Sequence, residues 1–227
     1  MFNLLDKFHI NTQYTGWFFQ QFLKMSFYQI APSDIYMSFD ADCFLIRDLV
    51  IDNIFFNVLD GNLPSNHPYI ATNKILLELP NFHHMQFMSE FMIFQSPILK
   101  ELIARMEQNK HNFFENILRI IGQDPLGLSF SEFECYANYC LAHQKGGYHL
   151  RQLPVLRIGG RFFESIDQVD NQVLKDFAKH YYMLQFNHWD KLSPYAKWIQ
   201  NKTLRKILGV KNLLRIYHKT GQYKRDF

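Results

Sequence analysis

Two aspartates one residue apart, Asp40 and Asp42 in "SFDADCF", have the clearest potential for chemistry in this sequence. Residues i and i+2 of an extended chain project to the same side, so both carboxylates could face one cation. Hard divalent ions such as Mg²⁺ and Mn²⁺ prefer carboxylate oxygens and commonly complete their shell with water and substrate phosphates. The spacing therefore favours a metal–diphosphate site, although two polar residues in a turn give the same pattern.

The elements before this pair indicate how it is positioned. Residues 34–39 form a short apolar run that predicts a buried strand ending at the aspartates. A helix is predicted over residues 14–29, and Pro32 separates it from the strand. Because ligands of open α/β sheets bind at strand ends of this kind, the predicted fold class is α/β.

Further elements are predicted downstream. Ser129 and Glu132 have the spacing of a capping box, which predicts a helix over residues 130–142. His188 directly follows a predicted strand, as the aspartates do. The strands predicted here comprise residues 69–73, residues 89–94, a strand pair around Gly159-Gly160, and residues 181–186.

Composition excludes several classes of protein. The chain has 227 residues, of which 48% are hydrophobic, enough to fill the core of an α/β domain. No run approaches the roughly 18 uncharged apolar residues that span a bilayer, and the N-terminus lacks the basic region of a secretory signal. The three cysteines lack C-x-x-C spacing, so neither a disulfide framework nor a zinc knuckle is indicated. We expect a cytoplasmic protein.

Charge divides the chain at about residue 190. Residues 191–227 contain ten Lys and Arg against one acid, a net charge of +9 that leaves −6 for residues 1–190. The periodicity of this segment predicts a basic amphipathic helical tail, which could lie on the inner face of an anionic membrane or simply be a solvated helix. Nucleic acid is not the expected partner, because the rest of the chain is acidic and carries no recognition motif.

Three motifs in fixed order give the sequence a resemblance. It resembles the nucleotide-sugar-dependent glycosyltransferases of GT-A fold, in particular the poorly characterised bacterial glycosyltransferase-like proteins of polysaccharide loci. The resemblance covers about residues 14–190. The motifs are "GWFFQQFLK" at residues 16–24, "DADCF" at residues 40–44 and "FSEFECY" at residues 130–136.

This resemblance implies a metal-dependent glycosyltransferase that moves a sugar from a nucleoside-diphosphate donor to a glycan or lipid-linked acceptor in surface polysaccharide or lipopolysaccharide assembly. Residues 1–190 would form a GT-A-like, Rossmann-like mixed sheet flanked by helices, followed by the tail of residues 191–227. Asp40 and Asp42 would hold Mn²⁺ or Mg²⁺. His188 stands where the family places a further ligand of the metal, and a structural histidine is the alternative.

The resemblance also implies roles for the other two motifs. Gln20, Gln21 and Lys24 would contact the donor, the alternative being a solvated helix face. Glu132 and Glu134 are candidates for acceptor binding or for the general base that deprotonates the attacking hydroxyl, although a capping role already explains Glu132. Helical spacing turns these two side chains roughly 200° apart, so we expect one of them to face the site.

The sequence departs from the family before the first motif. Family members have a preceding segment that supplies the first nucleotide-binding strands, whereas 13 residues precede Tyr14 here. Either the gene is shortened or the base site is built differently, and a non-catalytic GT-A-like binding module is therefore the alternative function. Metal-dependent phosphodiester hydrolysis is less favoured, because no H-x-D or D-x-H cluster offers a second metal site.

Overall fold

The computed structural model describes residues 2–78, 83–107, 111–122 and 129–220 of the chain. Both helices and strands occur throughout these ranges, so the protein belongs to the α/β class as the sequence predicts. The helices are α1 (Phe2–Lys7), α2 (Thr15–Ser26), α3 (Pro68–Leu77), α4 (Ser96–Met106), α5 (Phe113–Ile121), α6 (Glu132–Ala142), α7 (Asn171–Ala178), α8 (Ala196–Gln200), α9 (Lys202–Leu208) and α10 (Val210–Lys219). The strands are β1 (Ile35–Phe39), β2 (Cys43–Leu45), β3 (Phe55–Asn57), β4 (Leu59–Asn62), β5 (Met85–Gln86), β6 (Phe91–Gln95), β7 (His149–Arg151), β8 (Val155–Leu156) and β9 (Met183–Gln185).

These short strands form four small sheets in the described ranges rather than one extended sheet. β1 pairs antiparallel with β6, β4 pairs antiparallel with β5, and β3 pairs parallel with β7. The fourth sheet has the order β2-β9-β8, antiparallel between β2 and β9 and parallel between β9 and β8. Parallel and antiparallel pairings therefore both occur. The structure thus confirms the mixed pairing of the predicted sheet.

The chain divides into two compact units. Unit 1 contains Met1–Phe39 and Asp52–Gln152, and unit 2 contains Asp40–Ile51 and Leu153–Phe227. Each unit has its own hydrophobic core. The core of unit 1 is rich in aromatic side chains from α2, β6 and α6, whereas that of unit 2 is built around β8, β9, α7 and α10. The described part of the tail, residues 191–220, is thus part of a unit that also contains the segment with the two aspartates.

Helix α2 follows directly from its sequence pattern. Phe18, Phe22 and Met25 recur at helical spacing, and all three are buried in the core of unit 1. Gln21 lies on the same buried face and is 1% exposed. A turn of 3₁₀-helix at Phe27–Gln29 continues α2, so the predicted helix over residues 14–29 is confirmed apart from its first residue.

The strand predicted over residues 69–73 and the strand pairing predicted around Gly159-Gly160 are wrong. Residues 69–73 belong to α3, because Pro68 stands in its first turn and His67 caps it by accepting a hydrogen bond from the Tyr69 N–H. Gly159-Gly160 lies in a turn of 3₁₀-helix instead of a hairpin, and the neighbouring strand β8 pairs with the distant β9. The strands predicted over residues 34–39, 89–94 and 181–186 are confirmed as β1, β6 and β9. The predicted burial of β1 is wrong, because Ile35 is exposed and the other four side chains are only partly buried.

The basic tail forms three short helices up to residue 220. Breaks at Asn201, which caps α9, and at Gly209, which has φ +74°, separate α8, α9 and α10. Val210, Leu213, Leu214 and Tyr217 of α10 are buried in the core of unit 2. The last predicted tail residues, 221–227, lie outside the described residues. No helix in the described part of the chain is both long and apolar enough to cross a lipid bilayer.

Two glycines of unit 1 give a matched test of this packing. Gly122 ends α5, and a Cβ on it would overlap the carbonyl oxygen of Phe8, so Gly122→Ala should lower the free energy of unfolding by about 1–3 kcal/mol. Gly16, inside α2, has open space around it, and Gly16→Ala should raise that free energy by roughly 0.5–1 kcal/mol. Urea unfolding measures both effects, and a Gly122→Ala variant as stable as the parent would contradict the packing described.

Candidate functional site

The two aspartates lie in a tight turn that leads into β2 of unit 2. The Cys43 N–H donates to the Asp40 carbonyl oxygen at 3.1 Å, which closes the turn. The Phe186 N–H donates to the Asp42 carbonyl oxygen at 2.8 Å, so the turn is tied to the end of β9. Both aspartates are partly buried. Backbone hydrogen bonds therefore hold the D-A-D segment in a defined conformation at one end of the β2–β9 pair.

The Asp42 carboxylate is oriented by a neighbour on β9. The Gln185 side-chain amide lies 3.5 and 3.4 Å from its two oxygens and donates weakly to them. The Cys43 thiol lies 3.6 Å from Asp42 Oδ1 as a further weak donor. Neutral donors of this kind position a carboxylate without neutralising it, so the negative charge of Asp42 stays available to a cation.

His188 lies at the same end of this strand pair. Cys43 pairs with Gln185, and the hydrogen bond from Phe186 to Asp42 extends that register, so His188 follows two residues beyond the pairing partner of Asp42. Its ring is exposed and lies against Trp189 with centroids 4.6 Å apart. Within the described ranges, no group of three or more His, Cys, Asp or Glu side chains could hold a metal ion. The three predicted ligands thus share one strand end without converging on one point.

The chemistry of this donor set still fits Mg²⁺ or Mn²⁺ in part. Mg²⁺ is usually held by one or two carboxylates, with waters and substrate phosphates as the other ligands. Asp40 and Asp42 supply two carboxylates, which matches that requirement in number and type. His188 is not grouped with them in this conformation, so its predicted role as a ligand stays a prediction.

An ion pair that the sequence did not indicate fixes the turn after His188. Arg161 Nε lies 3.4 Å from Asp190 Oδ1, and the side chains are only 10% and 3% exposed. Arg161 also donates to the Tyr217 hydroxyl of α10 at 3.3 Å. Gly160 makes room for this pair, because a Cβ at that position would lie 2.8 Å from the Asp190 Cβ. The pair anchors residue 190, two positions after His188, to the core of unit 2.

The other two motifs meet inside unit 1. Lys24 on α2 forms an ion pair with Glu132 at the start of α6, with Nζ and Oε1 3.0 Å apart and side-chain exposures of 16% and 6%. The Glu132 N–H donates to the Gln21 side-chain oxygen at 3.0 Å. Lys24 also lies over the Phe133 ring, 4.4 Å from its centroid. We call Gln21, Lys24, Glu132 and Glu134 the α2–α6 polar cluster. Gln20, on the same helix as Lys24, is exposed.

Helix α6 begins two residues later than predicted. Ser131 is the N-cap residue, and its hydroxyl accepts a hydrogen bond from the Glu134 N–H at 3.3 Å. The predicted capping role of Ser129 with Glu132 is therefore wrong. Both serines are followed by a glutamate three residues later, so the sequence pattern alone does not distinguish them.

Glu134 is used differently from Glu132. Its Oε1 accepts hydrogen bonds from the N–H groups of Phe87 and Met88, at 2.6 and 3.2 Å. The side chain is 1% exposed, and burial raises the pKa of Glu134 to about 7 even though both hydrogen bonds favour the charged form. Glu134 thus holds the segment that leads into β6 and is poised to change protonation near neutral pH.

Tyr69 on α3 is a neighbour of the α2–α6 polar cluster that the sequence did not reveal. Burial, followed by the charges of Glu134 and Glu132, raises the pKa of Tyr69 to about 12. Both carboxylates therefore lie within electrostatic range of its hydroxyl, although Glu132 pairs with Lys24 and Glu134 with the backbone. Residues 69–73 had the pattern of a strand, which concealed the helix that presents Tyr69.

The comparisons place the chain in a family. "Family of unknown function (DUF6492)" matches residues 2–197. This match covers most of the chain, and the protein therefore belongs to that family. No curated protein matches the sequence.

The ion pair of the α2–α6 polar cluster can be measured with a double-mutant cycle. Lys24→Met and Glu132→Gln should each lower the free energy of unfolding by about 3–5 kcal/mol, because each leaves one charge buried without its partner. The double variant should lose less than the sum of the two. The matched control is the ion pair of Lys145 and Glu101, whose charged atoms lie 2.7 Å apart but whose side chains are 31% and 51% exposed. Its coupling energy should be less than about 1 kcal/mol. Additive losses at Lys24 and Glu132 would contradict this pairing.

Glu134 should make stability fall as pH rises from about 4.5 to about 7. In this range the folded protein keeps a proton that the unfolded chain has lost, and the free energy of unfolding decreases by up to about 1.4 kcal/mol per pH unit. Glu134→Gln keeps an acceptor for both N–H groups and should remove this contribution.

Urea unfolding at several pH values between 4.5 and 7.5 measures the effect. Glu101→Gln is the control, because hydrogen bonds from Lys145 and then Tyr139 lower the pKa of Glu101, so its removal cannot flatten the same slope. An unchanged pH dependence in Glu134→Gln would show that Glu134 does not titrate as described.

Proposed function

We propose that this DUF6492 protein is a metal-dependent glycosyltransferase that moves a sugar from a nucleoside-diphosphate donor to a surface polysaccharide or lipopolysaccharide acceptor. The observation that carries the proposal is the D-A-D turn, which is hydrogen-bonded to Phe186 directly after β9, with His188 two residues beyond Phe186. Glycosyl transfer is proposed as the reaction because the three motifs occur in the order found in the glycosyltransferases that the sequence resembles. The proposal includes a GT-A-like fold, for which the α/β class and the strand directly before Asp40 are supporting features.

Asp40 and Asp42 are the residues that would hold Mg²⁺ or Mn²⁺. A bound divalent cation would supply charge neutralisation for the departing nucleoside diphosphate. The protein's own contribution is to hold the carboxylates in position before the cation binds. The hydrogen bonds of Cys43 and Phe186 hold the turn, and the Gln185 amide orients the Asp42 carboxylate. Such preorganisation spares the reorganisation of these groups during the reaction.

Glu134 is the stronger candidate for a general base on chemical grounds. A pKa of about 7 is close to the value at which a carboxylate accepts a proton efficiently near neutral pH. Glu132 is already neutralised by Lys24, which lowers its capacity to act as a base. For Glu134 to contact an acceptor hydroxyl, the segment at Phe87 and Met88 would have to release its Oε1, because that oxygen now accepts two backbone N–H groups.

The contacts of the α2–α6 polar cluster favour a second candidate function, a non-catalytic GT-A-like module that binds a nucleotide or glycan. Gln21 and Lys24 both contact Glu132 inside unit 1, and all three side chains are largely buried. Residues committed to a buried network of this kind stabilise a fold without contacting a donor. Under this alternative the D-A-D turn binds a ligand, and no sugar is transferred.

Thermal unfolding tests the proposed donor and metal site. Mn²⁺ together with a nucleoside diphosphate should raise the Tm by about 5–10 °C at a ligand concentration 100 times Kd, because only the folded protein binds. Asp42→Asn should abolish the rise. Asp48→Asn, an exposed aspartate in the same chain segment, is the matched control and should retain it. No rise in the unmutated protein would refute the proposed site.

A further inference from the structure

Positive charge is concentrated on the last three described helices. Residues 191–220 contain eight Lys and Arg and no Asp or Glu. Arg205 is buried and pairs with Asp176 at 3.1 Å, so it belongs to the interior of unit 2. The remaining seven cations are exposed: Lys191, Lys197, Lys202, Lys206, Lys211, Arg215 and Lys219.

The packing of these helices leaves their cations on the sides that face away from the core of unit 2. The buried side chains of α8 and α10, Ile199 and Val210, Leu213, Leu214 and Tyr217, all belong to the core of unit 2. The opposite side of α10 carries Lys211, Arg215 and Lys219 at a spacing of four residues, which aligns them along the helix. Lys202 and Lys206 are aligned in the same way on α9. We call the exposed side of α8–α10 the basic face.

Large apolar side chains are exposed among these cations. Ile207 is 72% exposed, Trp198 49% and Ile216 41%. They belong to α9, α8 and α10 respectively, so each helix of the basic face has one of them. Exposed Trp and aliphatic residues that lie among Lys and Arg are typical of helices that bind at a membrane surface. Trp in particular is enriched where protein meets the lipid headgroups.

The combination identifies the class of partner. A solvated helix usually mixes charges of both signs, as residues 153–190 of the same unit do with four Lys and Arg and five acids. A surface with one sign of charge attracts an anionic partner. Nucleic acid would satisfy the charge, but it would leave the exposed isoleucines in contact with polar backbone and water. A membrane with anionic lipids satisfies both the cations and the apolar side chains.

We propose that the basic face binds anionic membrane surfaces, with the cations at the headgroups and Trp198, Ile207 and Ile216 inserted among them. This docking holds the protein at a bilayer without a membrane-spanning helix in its described part. It rests on the surface of α8–α10 alone and does not depend on the proposed transfer reaction.

Vesicle co-sedimentation of the full chain tests the proposal. Vesicles of phosphatidylglycerol and phosphatidylcholine should bind the protein, and pure phosphatidylcholine vesicles should bind it far more weakly, with an affinity that falls as salt is added. Neutralising three cations with Lys202→Gln, Lys206→Gln and Lys211→Gln should weaken binding about 100-fold, at about fivefold per cation. Ile207→Ser should weaken it at high salt as well, because its contribution is apolar.

Matched controls come from equally exposed positions in unit 1. A triple variant with Lys74→Gln, Lys100→Gln and Arg119→Gln removes the same charge, and Ile75→Ser changes an isoleucine that is 62% exposed. These controls should bind like the parent, and thermal unfolding confirms that each variant is folded. Three results would each overturn the proposal. These are absence of binding to anionic vesicles, losses in the controls equal to those in the basic-face variants, and binding only to a single-stranded oligonucleotide offered as competitor.

Discussion

Compensation of buried charge at the Lys24–Glu132 pair is the constraint on which the arrangement of unit 1 depends. Removing two charges from water costs several kcal/mol for each ion, and a salt bridge at 3.0 Å offsets this only when further partners are present. The Phe133 ring supplies such a partner for Lys24, and Gln21 accepts a hydrogen bond from the backbone N–H of Glu132. Because the two charges lie on α2 and α6, the pair fixes how these helices meet, and Glu134, in the same first turn of α6 as Glu132, can then hold the backbone at Phe87 and Met88. Two motifs far apart in the sequence thus form one polar cluster in the aromatic core of unit 1.

The parts of the fold that local patterns determine were predictable from the sequence. The periodic aromatic residues of α2 and the apolar runs of β1 and β9 gave elements close to those observed. Local patterns failed where two signals compete. Residues 69–73 have the composition of a strand, but Pro68 and the cap at His67 establish α3. The parallel pairing of β8 with β9 depends on residues far apart in the chain, and no local signal at Gly159-Gly160 reveals it.

For the candidate sites, the sequence revealed which residue types are present but not which side chains contact one another. The sequence identified Asp40, Asp42 and His188, and the register of β2 with β9 brings all three to one end of a sheet in unit 2. It also identified Lys24 and Glu132, but not that they neutralise each other. Tyr69 was missed because its segment has the pattern of a strand. Asp190 was missed because its partner, Arg161, comes from a separate turn of the chain. Chemistry can be predicted from residue types, whereas pairing requires the three-dimensional fold.

These observations separate a buried polar cluster in unit 1 from a partly exposed D-A-D turn in unit 2, and the proposed glycosyltransferase depends on the turn. The most direct measurement is the release of nucleoside diphosphate when purified protein is incubated with a panel of nucleotide-sugar donors and Mn²⁺, with and without candidate acceptor glycans. The account predicts release from at least one donor, dependent on Mn²⁺ and lost in both Asp40→Asn and Asp42→Asn, whose folding is unchanged. Donor binding without release from any sugar nucleotide, or equal release by the aspartate variants, would contradict it.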